Sequence, residues 1–358
     1  MTDIRLFGYS DPLAAKLTQT VDFKISAEGT TEASIEIVRL VHGDYNPKGP
    51  GFIEEPITTD LPKCIGVKRQ YTQNGAFARV KDEHALLSPK GAFSVFAFIW
   101  PSLPGKARQT IMGSWNVNNS KGYGLGINPE GRLEFWVGDG KNVDQVTADI
   151  PLVPKVWVLA GASYDPVTGE ARLIQINVQN AWNSHIGPVT PYDHNCHIAE
   201  KLRVKPAASE GDFYLAGAQE HNPERGNFVS LLYNGKIDRS GITERALTAA
   251  DMANIAKGIV PSGALAYWDT TAGYTDQGIG NVIQDTGPHK LDAIGVNRPV
   301  RAMTGWNWTG RDDSFRLNPD QYGGVAFHDD AMTDCNWETT ISWTPPASIR
   351  SGVYALKV

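Results

Sequence analysis

The residues best equipped for chemistry lie in the irregular passage from Asn180 to Pro206. Here Asp193-His-Asn-Cys-His197, with His185 upstream, brings together imidazole, thiol and carboxylate groups of the kind that bind soft and borderline metals. His194 and His197 are the candidate ligands. Their spacing argues against a metal, because neighbouring residues on an extended segment point apart and no second paired set follows elsewhere. Glycoside hydrolysis would need two carboxylates about 5 to 10 Å apart across the scissile bond. No alternating Glu-x-Asp-x-x-Glu strand is present, and Glu134 stands alone between Leu133 and Phe135. Asp139, Asp144 and Asp149 could offer oxygen ligands to calcium, with turn formation as the simpler use. His42-Gly-Asp44 and Lys48-Gly-Pro-Gly51 lack the strand-loop-helix frame of a phosphate cradle. Gly122-x-Gly-x-Gly126 is followed by no helix, so it reads as a glycine face beneath neighbouring strands. No serine and histidine share a Gly-x-Ser-x-Gly elbow. On this reading the chain holds no catalytic residue and no cofactor site, and only His194 and His197 stay as metal candidates.

The elements around these residues are strands. Phe93-Ser-Val-Phe-Ala-Phe-Ile-Trp100 is apolar almost throughout, as for a strand covered on both sides. Tyr123, Leu125 and Ile127 alternate with glycines, and Leu133, Phe135 and Val137 alternate likewise, with the turn Asn128-Pro-Glu-Gly131 between them. Val156 to Ser163 and Ala171 to Val178 form a further hairpin around Asp165-Pro-Val-Thr-Gly169. Phe213 to Ala218, Asn227 to Asp238 and Ala264 to Asp269 return to strand character. Thr248 opens the one convincing helix, with Asp251 three residues on and Gly258 and Pro261 ending it. Such spacing predicts an all-β, two-sheet sandwich.

Composition agrees with a turn-rich β chain: 358 residues include 36 Gly, 22 Pro and 10 Trp. A formal charge of -6 provides no basic footprint for nucleic acid or an anionic membrane. The start, Met1-Thr-Asp-Ile-Arg-Leu-Phe-Gly8, is not a secretory signal, and no apolar run reaches membrane-spanning length, so the expected location is the cytoplasm. The cysteines, Cys64, Cys196 and Cys335, are odd in number and far apart, as free thiols would be.

The wording of the central strands, "FSVFAFIWPSLPGKARQTIMGSW", "GYGLGINPEGRLEFWVGDG", "VWVLAGASYDPVTGEARL" and "YNGKIDRSGITERALTAADMANI", resembles laminin-G-like, concanavalin-like jelly rolls. That likeness speaks to fold and hardly to function. Gly352-x-Tyr354 resembles the tyrosine corner of immunoglobulin-like sandwiches. The expected organisation is therefore a jelly roll over residues 61–291, inserted into a smaller immunoglobulin-like sandwich made of residues 1–60 and 292–358. Because the sequence stops inside a strand at Val358, the expectation is that the small sandwich is cut there. Its last strand would then be the less protected part.

A longer resemblance runs through the whole chain. "GYSDPLAAKLTQTVDFKIS", "EIVRLVHGDYNPKGPGF", "IQDTGPHKLDAIGVNRPVRAMTGWNWTG" and "WTPPASIRSGVYALKV" resemble the N-terminal half of the large subunit of N,N-dimethylformamidase. The resemblance implies a noncatalytic, structural and assembly region of an enzyme that hydrolyses dimethylformamide to dimethylamine and formate. It implies an iron site of Tyr, His and Glu in a later catalytic region and not here. The implied partners are that C-terminal region, a small subunit and further large subunits. A carbohydrate-binding module is the alternative, with Trp115, Trp136 or Trp182 as stacking platforms and a glycan as ligand.

Overall fold

The computed structural model describes residues 3–178, 182 and 194–358. His185 and Asp193 of the expected metal cluster lie outside the described residues. The chain divides into two compact units, one of residues 1–72 with 334–358 and one of residues 73–333. The larger unit thus begins and ends later than residues 61 and 291. Cys64–Gly66 pairs with Glu32–Ser34 in the small unit, whereas Val282–Asp285, Ala293–Val296, Val300–Met303 and Gly324–Phe327 all join sheets of the large one. These strands are only four residues long. Alternation over so few residues is too brief to tell a strand from a linker.

The large unit is an all-β sandwich whose described residues hold one α-helix, Ala249–Ile255, and a 3-10 turn at Pro319–Gln321. In one sheet Cys196–Lys201, Glu170–Asn177, Val158–Tyr164, Phe93–Pro101 and Gly235–Thr243 lie side by side, each antiparallel to the next. In the other, Val143–Pro151, Arg132–Asp139, Lys121–Ile127, Gln109–Asn116, Phe213–Leu215, Phe77–Val80 and Ala293–Val296 follow in order. Val282–Asp285 bonds to both Ala293–Val296 and Ala264–Asp269, which joins the two sheets along one side.

Alternation decides what each face touches. Phe93, Val95, Ala97 and Ile99 point into the main core with Leu125, Leu133, Phe135 and Val137. Phe96 and Phe98 point the other way, into a second cluster with Trp157, Met252 and Ile255. Burying a side chain of this size contributes roughly 2 to 3 kcal/mol, so the helix is held by the sheet it covers. Its own start is well capped: the Thr248 hydroxyl accepts from Asp251 N, and the Asp251 carboxylate accepts from Thr248 N. The turns follow their sequences, with Gly131 and Gly169 in the left-handed region at φ 77° and 76°.

The glycine face has a specific occupant. Gly124 stands opposite Trp136, and a Cβ at Gly124 or Gly126 would be driven into its indole. Trp115 meets Trp136 edge-on at 6.1 Å. Both rings are buried, at 6% and 0% exposure, and so are not the stacking platforms that a glycan-binding reading expects of them.

In the small unit the two chain ends share sheets. Ile341–Trp343 pairs with Val21–Glu28, and Val353–Lys357 pairs with Glu36–His42. The apolar run around Ile35 and Ile37 is split at Ile35 into Glu32–Ser34 and Glu36–His42, which enter different sheets. Ile25, Ala27, Ala33 and Val67 form a modest core joined by Leu356. The Tyr354 hydroxyl donates to the Arg350 carbonyl at 2.6 Å, the link that the tyrosine-corner resemblance implies.

Replacing Gly124 with alanine is expected to cost about 1 to 3 kcal/mol, the usual penalty of overpacking. Urea unfolding followed by tryptophan fluorescence measures it, and an unchanged midpoint would contradict the fit described for Trp136.

Candidate functional site

The strand Gly235–Thr243 forks. Its first residues, Gly235 to Ile237, pair with Gly324–Phe327, while Ser240 to Thr243 pair with Ala264–Asp269. Between these neighbours the register against Phe93–Pro101 shifts from Asp238 to Gly241, a bulge. Arg239 sits in the bulge with φ 42°, an uncommon conformation for a residue with a side chain. Where the two neighbours part, Arg239 N donates to the Thr270 hydroxyl at 3.2 Å.

The fork gathers charge in the interior. Asp238 is fully buried, Lys236 is 4% exposed and Arg239 is 9% exposed. Asp238 accepts from the Thr270 hydroxyl at 2.8 Å and from Trp306 N at 3.3 Å. Arg239 donates to the carbonyl and carboxylate of Asp320 at 2.7 and 2.6 Å, and its guanidinium lies 6.0 Å from the Trp306 ring. Lys236 Nζ donates to the Thr304 hydroxyl at 3.1 Å and lies over the rings of Trp100 at 4.5 Å and Trp157 at 5.8 Å. Gly305 and Gly323 pass so close to the Asp238 carboxylate that a Cβ at either would collide with it.

Burial sets the proton affinities. It pushes the Lys236 ammonium down to about 8, with Asp238 acting in the opposite direction. Burial raises the Asp238 carboxyl, against Arg239, the Thr270 hydroxyl and Trp306 N–H, which favour its charged form. For Arg239 burial works against the charge, and Asp238 and Asp320 more than restore it. Tyr267 is raised by burial despite Arg239, and so remains a neutral phenol. Perturbed groups clustered in this way mark a candidate functional site, and networks that serve structure also produce them. Here the anchored atoms belong to the 304–323 segment, so the arrangement can position that segment. In the sequence Lys236 and Asp238 read as the end of a strand and Arg239 as the residue after it, whereas the strand runs on to Thr243. The fork that turns them inward depends on neighbours far along the chain.

The residues singled out by sequence are dispersed. His197 is exposed on Cys196–Lys201, while Cys196 is buried and faces the other way, donating to Asp149 at 3.1 Å. His194 precedes the strand, and its carbonyl accepts from the Gln175 amide at 2.9 Å. Asp139 accepts from the backbone of Lys141 and Asn142, and Asp144 from Arg203 N. Glu134 is buried against Arg108 at 2.6 Å, and burial raises its carboxyl while Arg108 opposes the shift. His42 Nδ1 meets the Gly51 carbonyl, and Asp44 caps Asn46 N. Among the described residues no three His, Cys, Asp or Glu side chains converge as a metal site requires.

Residues 300–358 match the family model described as N,N-dimethylformamidase beta subunit-like, C-terminal. Over its full length the chain is 38% identical to the N,N-dimethylformamidase beta subunit of an Alcaligenes species and 36% identical to that of Paracoccus aminophilus. The chain is similar to that subunit throughout. It spans about half the length of these curated relatives, 48% of each. They are beta subunits, where the wording of the sequence implied the large subunit. Among solved structures, the CBM40 of Ruminococcus gnavus IT-sialidase is similar at a TM-score of 0.39 with 11% identity, over 52% of this chain and 97% of that one.

Truncating Asp238 to alanine leaves Arg239 with one carboxylate fewer, and losing one partner of a buried charge pair costs about 3 to 5 kcal/mol. Chemical denaturation of the variant measures this, and a loss under 1 kcal/mol, roughly that of a surface pair, would refute a buried network. Burial followed by the bond to Asp149 raises the Cys196 thiol to about 11, so it holds its proton at neutral pH. Iodoacetamide at pH 7.5 is therefore expected to label exposed Cys64 well before Cys196, as mass spectrometry of the peptides reads out.

Proposed function

We propose that this chain is a noncatalytic, structural and assembly region of a dimethylformamidase-like amidohydrolase. The parent reaction would be the hydrolysis of N,N-dimethylformamide to dimethylamine and formate. The observation that carries this reading is similarity along the entire chain to beta subunits about twice as long. The chain would correspond to the N-terminal half of such a subunit. Its partners would be the catalytic region of the same polypeptide, a small subunit and further copies of its own subunit, all in the cytoplasm. The subunit designation of the relatives supports an assembly. No helix among the described residues is long and apolar enough to cross a membrane.

Iron would belong to the other region of the parent. The described residues do not fit it, since His197 and Cys196 face apart and no three suitable side chains meet. No step of the reaction is routed through this chain. The glycan-binding alternative has less support, because two of its three proposed platforms, Trp115 and Trp136, are core residues.

With iron(II) supplied, the purified chain is expected to release no dimethylamine from dimethylformamide above a protein-free control. It should co-elute with the portion of the Alcaligenes subunit that it does not match. Release proportional to protein would overturn the noncatalytic reading, and separate elution would overturn the assembly reading. A glycan array showing saturable binding would favour the alternative.

A further inference from the structure

We propose that residues 304–322 form a latch on the sheet, held down by Lys236 and set tighter or looser by whether that side chain carries its proton. This inference rests on the geometry of the fork and is independent of the enzyme to which the chain is related.

The segment runs between Val300–Met303 and Gly324–Phe327 and enters neither sheet. It is tied to itself as one body. Gly305 N donates to the Gln321 carbonyl at 2.8 Å, and Thr309 N to the Gln321 side chain at 2.9 Å. Trp308 Nε1 and the Tyr322 hydroxyl both donate to the Asp312 carbonyl, at 2.9 and 2.7 Å. Such a loop, closed at its neck and bonded internally, is a compact unit. Its C-terminal end is followed by Gly323 and Gly324, which have the backbone freedom a bend there would use.

Three anchors come from one strand: Lys236 to Thr304, Asp238 to Trp306 N, and Arg239 to Asp320. Trp306 adds a stack on Phe98, with ring centres 4.3 Å apart and planes 3° from parallel. Of the three anchors, Lys236 is the one that changes charge in a mild pH range. Asp238 on its own strand is the charge that acts on it, and the Tyr233 hydroxyl donates to the Lys236 carbonyl at 3.2 Å. Arg239, Asp269, Asp320 and Tyr267 act in turn on Asp238 and Arg239, with Tyr274 and Arg301 beside them. The tyrosines Tyr233, Tyr267 and Tyr274 are pushed up by burial and stay protonated through pH 9.

The direction of the effect follows from linkage. With the latch closed, burial holds Lys236 down to about 8. With the latch lifted, water reaches the ammonium and its ordinary value of about 10.4 returns. The closed state therefore binds fewer protons between these values, and closure becomes more favourable as pH rises through that window. From pH 7 to pH 9 the gain is roughly ten-fold in the closing equilibrium.

Hydrogen exchange on the intact chain tests this, with rates at pH 7 and pH 9 divided by the intrinsic rates at each pH. Amides in 304–322 are expected to be about ten-fold better protected at pH 9, while those of Lys121–Ile127 keep one value. Lys236→Met has no proton to lose and Lys236→Arg keeps its charge at both values, so each should abolish the difference, and either suffices if the other does not fold. Equal protection of the unmodified chain at the two pH values, or a difference that survives in a folded variant, would overturn the latch.

Discussion

Phe93–Pro101 constrains everything around it, because apolar side chains leave both of its faces. Such a strand is stable only with a layer on each side. The facing sheet supplies one layer through Leu125, Phe135 and Val137. The second is assembled from a short helix, Trp157 and the indole of Trp306. A seven-residue helix would be marginal alone, and its capping box adds only about 1 kcal/mol. The apolar cover that Met252 and Ile255 give to Phe96 and Phe98 is what keeps it in place.

The outer layer also explains why charge is tolerated inside the molecule. Once Trp306 is stacked on Phe98, the chain on either side of it must cross the strand beside Phe93–Pro101, where the sheet forks. A fork leaves backbone groups without strand partners, and such groups are costly when buried. Asp238, Arg239 and Thr270 fill that role, taking Trp306 N, the Asp320 carbonyl and Arg239 N respectively. The charges substitute for missing ladder bonds. Lys236 is different, since its ammonium rests on indole faces and a hydroxyl, and burial still weakens its hold on the proton.

Much of this was legible in the sequence where a pattern is local. The hairpins at Asn128–Gly131 and Asp165–Gly169, the inward faces of the central strands and the Thr248 cap depend on residues within a few positions of each other. The glycine face was legible too, though its occupant was not. Trp136 was a candidate stacking platform because it alternates out of the face of Leu133, Phe135 and Val137, and only the pairing of Lys121–Ile127 with Arg132–Asp139 puts its ring over glycine. The unit boundaries failed for a related reason. Strands of four residues gain their identity from partners up to about two hundred positions away, as Ala293–Val296 does from Phe77–Val80. The fork was invisible on the same ground, since Lys-Ile-Asp-Arg reads as an ordinary alternation until the two neighbours that part around it are known.

The meeting of Trp136 with Gly124 and Gly126 has a consequence for how this sheet could be used. Glycines on consecutive rungs carve a trough across a β-sheet, and here the protein has inserted its own plug. Removing that plug, as Trp136→Ala would, exchanges about 3 to 5 kcal/mol of stability for an indole-shaped slot. Cavities of that kind admit small apolar guests when their walls are dry. The floor would be backbone and glycine, with Arg108 at the rim, 5.4 Å from the ring that now fills the space. A flat aromatic guest without a charge of its own matches such a slot, because Arg108 at the rim is already paired with Glu134.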